Sequence, residues 1–270
     1  MSEPAIVGVV LVKNEDLFIG QALENVTHFC DRMLVYDNFS TDGTYPILET
    51  LAAQYPHIHL ERIQNLAESH RAIEGYAGTP TWIFAVDGDE LYDPNGLREM
   101  RVKIKQGALN RYHRIYGNVL NCSRLDRQTH EALGYLSPPA RSMTKLYNFA
   151  HLTSWTGCPQ RLHNGTIVFK PGFNQQDATY SMHLTTPWET SSFRCLHMCM
   201  TRRSSKQVLA MPRFSPSDEI RKQIAQQTIA GKISFYLRTA FSLIFRKTGK
   251  DDGYRRGPQV RKDVSGFFIT

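Results

Sequence analysis

Apolar residues come in short unbroken runs over the first third of the chain. "AIVGVVLV" (5–12) is continuously apolar and rich in β-branched residues, as in a strand buried on both faces. "RMLVYD" (32–37), "IHLERI" (58–63) and "TWIFAVD" (81–87) read as three more strands. Between these runs the apolar period lengthens. Asn14 or Asp16 can cap a helix over roughly 17–29, with Leu17, Phe18, Ala22, Leu23 and Val26 on its apolar face. "YPILETLAAQY" makes a second helix with Pro46 in its first turn, and "LAESHRAIEGYA" a third. A basic helix, "LREMRVKIKQ" (97–106), closes this half. The alternation predicts an α/β domain with a mostly parallel central sheet flanked by helices.

The pattern then changes. Residues 1–110 form the regular half, whereas 111–200 are less periodic and richer in Tyr, His, Pro and Gly. The second half reads as short strands and long loops, suited to shaping a substrate site. Residues 201–270 read as a basic, mainly helical extension. Within it, 231–250 drawn as a helix puts Ile233, Tyr236, Leu237, Ala240, Phe241, Ile244 and Phe245 on one face. Lys232, Arg238, Arg246 and Lys247 flank that face. Two readings stay open: an interfacial helix on an anionic membrane, or a helix packed on the domain.

Polar residues cluster where the strands end: Asn14 and Glu15, Asp37 and Asn38, Asp87 and Asp89. Open α/β sheets bind ligands at that edge. The densest cluster is "WIFAVDGDELYD" (82–93), a buried strand followed by Asp87, Asp89, Glu90 and Asp93. Adjacent carboxylates repel, and desolvation sharpens the repulsion, so a positive partner is expected among them. Gly88 permits a tight turn that lets Asp87 and Asp89 face one point. A hard divalent cation, Mg²⁺ or Mn²⁺, suits such oxygens and would neutralise a diphosphate. The plain alternative is a solvated turn with helix-capping aspartates.

The 270 residues are 41% hydrophobic, enough for a substantial core. A net charge of +7 points to a phosphate-bearing ligand, a nucleic acid or an anionic membrane surface. The acidic strand edge would repel a polyanion, so no nucleic acid is expected there. Five cysteines without regular spacing suggest free thiols in a reducing, cytoplasmic setting. Cys195, His197 and Cys199 alternate, but on a strand positions i and i+4 lie about 13 Å apart. They are too far apart to share a zinc ion. The N-terminus lacks a basic n-region, and no run of about 20 apolar residues suggests a span.

Three segments in order, "VVLVKNEDLFIGQALENV", "DRMLVYDNFSTDGT" and "WIFAVDGDE", resemble the GT-A fold glycosyltransferases, family 2-like. The likeness covers about residues 5–95, and "DGDE" is similar to the branch whose strand ends in Asp-x-Asp-Glu. The resemblance implies a nucleotide site at Val12, Asn14, Glu15, Asp37, Asn38, Asp87 and Gly88, with Arg71 as a phosphate contact. It implies Mn²⁺ or Mg²⁺ on the sugar diphosphate, held by Asp87 and Asp89. His197 of "FRCLHMCMTRRSSKQ" would complete the metal shell, and Arg203 and Lys206 would suit phosphate oxygens. Inverting members need a carboxylate to deprotonate the acceptor. The branch often carries a His-Glu pair in mid-chain, but here "RLHNG" has Asn164 in the Glu place. Asp177, Glu189 and His163 are the candidates left, Asp177 first.

The expected partners are a UDP-, GDP-, CDP- or dTDP-linked sugar and a glycan or lipid-linked acceptor, met in the cytoplasm or at the inner face of a membrane. A sugar nucleotidyltransferase is the nearest rival, but "VKNEDLF" lacks the Gly and Arg of its phosphate loop. A non-catalytic basic polyanion-binding module is the other.

Overall fold

The computed structural model describes residues 3–140, 144–176, 178–206 and 251–268. Asp177 and the 231–250 segment lie outside the described residues.

The apolar runs become strands. In chain order these are β1 (Ala5–Val12), α1 (Ile19–Thr27), β2 (Arg32–Asp37), α2 (Thr44–Gln54), β3 (Ile58–Arg62), α3 (Glu68–Glu74) and β4 (Thr81–Val86). β3, β2, β1 and β4 lie side by side and parallel. Both faces of β1 are covered. Ile6, Val10 and Val12 pack with α1 and α2 residues such as Leu23 and Leu48, while Val7, Val9 and Leu11 pack with Ile73 of α3. That two-sided burial is why β1 reads as an unbroken apolar run.

After β4 the chain changes sheets. β5 (Glu90–Tyr92) starts four residues beyond Val86 and belongs to a second sheet. α4 (Pro94–Lys105) follows, starting earlier than the sequence pattern suggests. Asp93 explains the early start, because its Oδ1 accepts from the N–H groups of Asn95 (3.0 Å) and Gly96 (3.3 Å) with Pro94 in the first turn. Asp93 also pairs with Arg194 at 2.7 Å, so it is a cap and a structural ion-pair partner.

The second half supplies β6 (Arg114–Tyr116), β7 (Asn118–Asp126), β8 (Glu131–Ser137), β9 (Thr144–Asn148), β10 (Leu152–Thr156), β11 (Thr166–Phe169), β12 (Thr179–Ser181) and β13 (Arg194–His197). β9 adds antiparallel to β4, β6 antiparallel to β9, and β12 parallel to β6. The seven-stranded sheet, in the order β12-β6-β9-β4-β1-β2-β3, is therefore mixed, parallel over its first-half strands and again between β6 and β12. In the other sheet β13 pairs parallel with β7 and antiparallel with β5, setting His197 opposite Glu90.

The chain end departs from the helical expectation. β14 (Gln259–Asp263) pairs antiparallel with β8 as an edge strand of the five-stranded sheet. Phe267, 1% exposed, stacks on Trp188 at 5.8 Å, and its carbonyl accepts from Gln21 and Asn25. This stretch carries too few consecutive apolar residues to signal a strand on its own, and β8 supplies the missing hydrogen-bond partners.

Candidate active site

The turn from β4 to β5 sits where the two sheets meet, and it carries the acidic run. Gly88 is required by close approach: a Cβ there would lie 2.3 Å from Glu15 Oε2 and 3.1 Å from Val12 Cγ2. The two strand-end motifs are thus in contact, and Glu15, Asp87, Asp89 and Glu90 converge.

The chain itself supplies cations to this cluster. Arg161 pairs with Asp87 Oδ1 and also donates to the Val86 carbonyl at 3.0 Å. Lys145 Nζ lies 2.5 Å from Asp87 Oδ2 and 3.5 Å from Glu90 Oε1. Arg203 Nη1 bridges Glu15 Oε1 (2.7 Å) and Asp89 Oδ2 (3.0 Å). Burial alone would raise the Asp87 pKa, yet Arg161 and then Lys145 hold it well below the usual carboxylate range. Glu15 goes the other way. Burial pushes it up to about 8 despite Arg203, with Asp89 and Asp87 adding repulsion. Burial likewise raises Glu90 to about 7 against the pull of Lys145.

Lys145 and Arg161 escaped the sequence reading. Lys145 is a lone charge in the strand segment "TKLYN", and its burial at 5% exposure shows only in the fold. Arg161 stands in the "RLHNG" segment, two residues before His163. Its backbone is held by α3: the Arg161 N–H donates to Ser69 Oγ at 3.0 Å, and its carbonyl meets His70 Nδ1.

His197 faces the same point. Its Nδ1 lies 3.0 Å from Asn121 Oδ1, while Asn121 Nδ2 points to the Tyr135 carbonyl at 3.5 Å. Nδ1 therefore carries the proton and donates it to Asn121. Burial pushes the His197 pKa down, so the ring is neutral. The Nε2 lone pair then faces Asp89 Oδ2 at 3.8 Å. Two facing lone pairs with no proton between them suit a cation, and the Asn121 bond is the usual outer support of a metal-binding imidazole. Among the described residues no three His, Cys, Asp or Glu side chains form a ready-made metal cage. One carboxylate and one imidazole fit a divalent ion that also takes diphosphate and water. Asp87 has both oxygens on Arg161 and Lys145, and Asp89 Oδ2 likewise accepts from Arg203, so either carboxylate would exchange a cationic partner to take up a metal ion.

The remaining expected residues divide. Asn14 adopts φ 55°, and its Oδ1 accepts from the Thr41 N–H at 2.7 Å, which ties the ends of β1 and β2 together. Asn38 donates to the Ile63 carbonyl (2.9 Å), and its N–H bonds to the Val12 carbonyl (2.9 Å). Asp37 is fully buried and bonded to Arg62 at 2.9 Å. Lys206 reaches the Thr41 carbonyl beside this edge. Arg71 is exposed in the last turn of α3. His163 is exposed but close enough for its charge to act on Asp87. Glu189 is not brought to the cluster. Its carboxylate pairs with Lys262 and its carbonyl with Arg194, at the opposite end of β13 from His197. The five cysteines are free, as expected, and burial raises the thiol pKa of Cys122 and Cys195. Among the described residues no helix is long and apolar enough to cross a membrane.

Comparison with known proteins adds to this geometry. Residues 9–160 match the model of "Glycosyl transferase family 2". An uncharacterised glycosyltransferase of Rickettsia prowazekii is 27% identical over 142 residues, covering 52% of this chain and 44% of that protein. The chain thus matches less than half the length of this relative. Among solved structures, the mannosyltransferase PcManGT of Pyrobaculum calidifontis, in complex with GDP-Man and Mn²⁺, overlaps at TM-score 0.32 with 20% identity. That overlap covers 46% of this chain and 37% of the other. TarS of S. aureus overlaps at TM-score 0.34 with 15% identity, covering 56% and 30%. With more than half of its residues inside the family match, the α/β chain built around this acidic strand edge belongs to glycosyl transferase family 2.

Proposed function

We propose that the chain transfers a sugar from a nucleotide-sugar donor to a glycan or lipid-linked hydroxyl, with Mn²⁺ or Mg²⁺ held by Asp89 and His197. The observation that carries this reading is the 3.8 Å approach of His197 Nε2 to Asp89 Oδ2, with Nδ1 committed to Asn121. A divalent ion bound there would supply positive charge to the diphosphate and make it a better leaving group.

The protein's own groups perform the rest. Arg203, with Nη1 3.0 Å from Asp89 Oδ2, would move its hydrogen bonds from Glu15 and Asp89 to phosphate oxygens. Glu15, with its pKa pushed up to about 8 by burial, is already protonated at neutral pH, so no bare carboxylate is stranded when that guanidinium leaves. Arg161 and Lys145 keep Asp87 ionised and fixed, ready to accept from a ribose or sugar hydroxyl. The nucleotide lies over the ends of β1 and β2. The acceptor-side base in this reading is His163 or Asp177, and the electrostatic reach of His163 to Asp87 supports His163.

The test is turnover of UDP-, GDP-, CDP- and dTDP-sugars with Mn²⁺ and with EDTA. The reading expects hydrolysis or transfer from one donor class that EDTA abolishes. Equal turnover in EDTA removes the metal from the mechanism, and no turnover or binding of any donor removes the transferase.

A further inference from the structure

Arg161 lies in the loop between β10 and β11, and those two strands form a sheet of their own. Ladder hydrogen bonds of the seven-stranded sheet therefore do not fix that loop against Asp87. Two adjacent residues of α3 do. His70 is fully buried and grips the loop at two points. Its Nδ1 faces the Arg161 carbonyl, and its Nε2 lies 2.7 Å from the carbonyl of Trp155 on β10. Ser69, also fully buried, accepts from the Arg161 N–H through Oγ at 3.0 Å. The same hydroxyl donates to the Leu66 carbonyl at 2.6 Å, so its lone pair is turned toward Arg161. Both backbone groups of Arg161 are thus taken by α3.

The clamp holds Arg161 at φ 34°, in the left-handed region that residues other than glycine rarely enter. Such strain persists only where the surroundings over-determine it, and it gathers at functional sites. The side chain that leaves this backbone is 4% exposed. Its guanidinium reaches Asp87 Oδ1 and donates to the Val86 carbonyl at 3.0 Å, at the end of β4.

We infer that Ser69 and His70 are positioning residues for the transfer: by fixing the backbone of Arg161 they aim the Asp87 carboxylate, which neither of them touches, at the donor. The inference rests on the reading of Asp87 as acceptor for a ribose or sugar hydroxyl. A carboxylate at a strand end turns about its side-chain torsions, and a small misplacement of such a group is costly in rate. The Arg161 fork and Lys145 take one oxygen each and stop that rotation.

The test separates positioning from packing with Ser69→Ala, His70→Leu, Arg161→Met and the two doubles that combine Arg161→Met with each α3 variant. The first readout is the guanidinium N–H resonances of Arg161 in the metal-free full chain, assigned by their loss in Arg161→Met. They should be resolved in the unaltered protein, where the fork is locked, and averaged by rotation in Ser69→Ala. The second is kcat/KM for whichever UDP-, GDP-, CDP- or dTDP-sugar is turned over with Mn²⁺. Ser69→Ala and His70→Leu should each lower it by about 10–100-fold, and by less than about twofold when Arg161 is already Met. Resolved resonances in Ser69→Ala, or equal losses with and without Arg161, overturn the inference and leave the transferase reading standing. No turnover of any donor overturns both. Should His70→Leu fail to fold, Ser69→Ala, which removes a single oxygen, decides alone.

Discussion

Lys145 Nζ and Asp87 Oδ2 meet at 2.5 Å, on a lysine side chain only 6% exposed. The same ammonium lies 3.5 Å from Glu90. A charge this deep is tolerated because it pairs with buried Glu90 and half-buried Asp87, and its removal would leave Glu90 facing Asp87 with no cation between them. Lys145→Met should therefore cost about 3–5 kcal/mol of stability. Adding Asp87→Asn should restore part of the loss, because the unpaired charge is gone. Urea unfolding of the single and double variants measures both, and additive losses would deny the coupling.

Asn121 should matter to metal affinity without touching metal. It fixes the His197 tautomer through its Oδ1 at 3.0 Å. Asn121→Leu should weaken Mn²⁺ binding in the presence of a nucleoside diphosphate by about 10–100-fold. Free Mn²⁺ measured by electron paramagnetic resonance gives this directly, and an unchanged affinity would free the imidazole from that role.

Glu15 gives a pH dependence of stability with a definite sign. Burial pushes its folded pKa up to about 8 from the ordinary 4.5. Between these values the folded chain binds the extra proton, so this group's contribution falls as pH rises through that window. Buried His113 acts oppositely. Its pKa is pushed down to about 4 by burial, so its contribution rises with pH from there to 6.5. Glu15→Gln should flatten the alkaline side of the profile and leave the acid side in place. Melting temperatures from pH 4 to 9 for both proteins would show it, and parallel profiles would contradict it.

Phe267 tests whether the chain end belongs to the body. It is 1% exposed against Trp188. Phe267→Ala should destabilise by about 3–5 kcal/mol, far more than truncation of a solvated tail would. Equilibrium unfolding in urea decides, and a change under about 0.5 kcal/mol would mark the packing as dispensable.

The first-half strands were legible because burial on both faces leaves one chemical choice, β-branched and apolar, as in 5–12 and 81–86. The acidic edge was legible because Asp87 and Asp89 follow such a strand without a break. Its counter-charges were not. Lys145 and Arg161 lie 58 and 74 residues downstream of Asp87, on elements that carry no periodic signal. Asp37 showed a related limit. Its position at a strand end was readable, but the Arg62 lid comes from strand register, which pairs residues 25 apart in sequence. Sequence order also missed that β9 would enter between β4 and β6, making the central sheet mixed.

The account turns on Asp89 and His197 holding a divalent ion together with the donor diphosphate. The most direct measurement is retention of Mn²⁺ by the protein with saturating GDP, read from the loss of the free-ion paramagnetic resonance signal. The comparison runs across the unaltered chain, Asp89→Asn and His197→Ala. The predicted result is one ion retained per chain, lost on Asp89→Asn and weakened by about tenfold or more on His197→Ala, with all three proteins folded. Equal retention by Asp89→Asn and the unaltered chain would contradict the account and place the ion, if there is one, elsewhere.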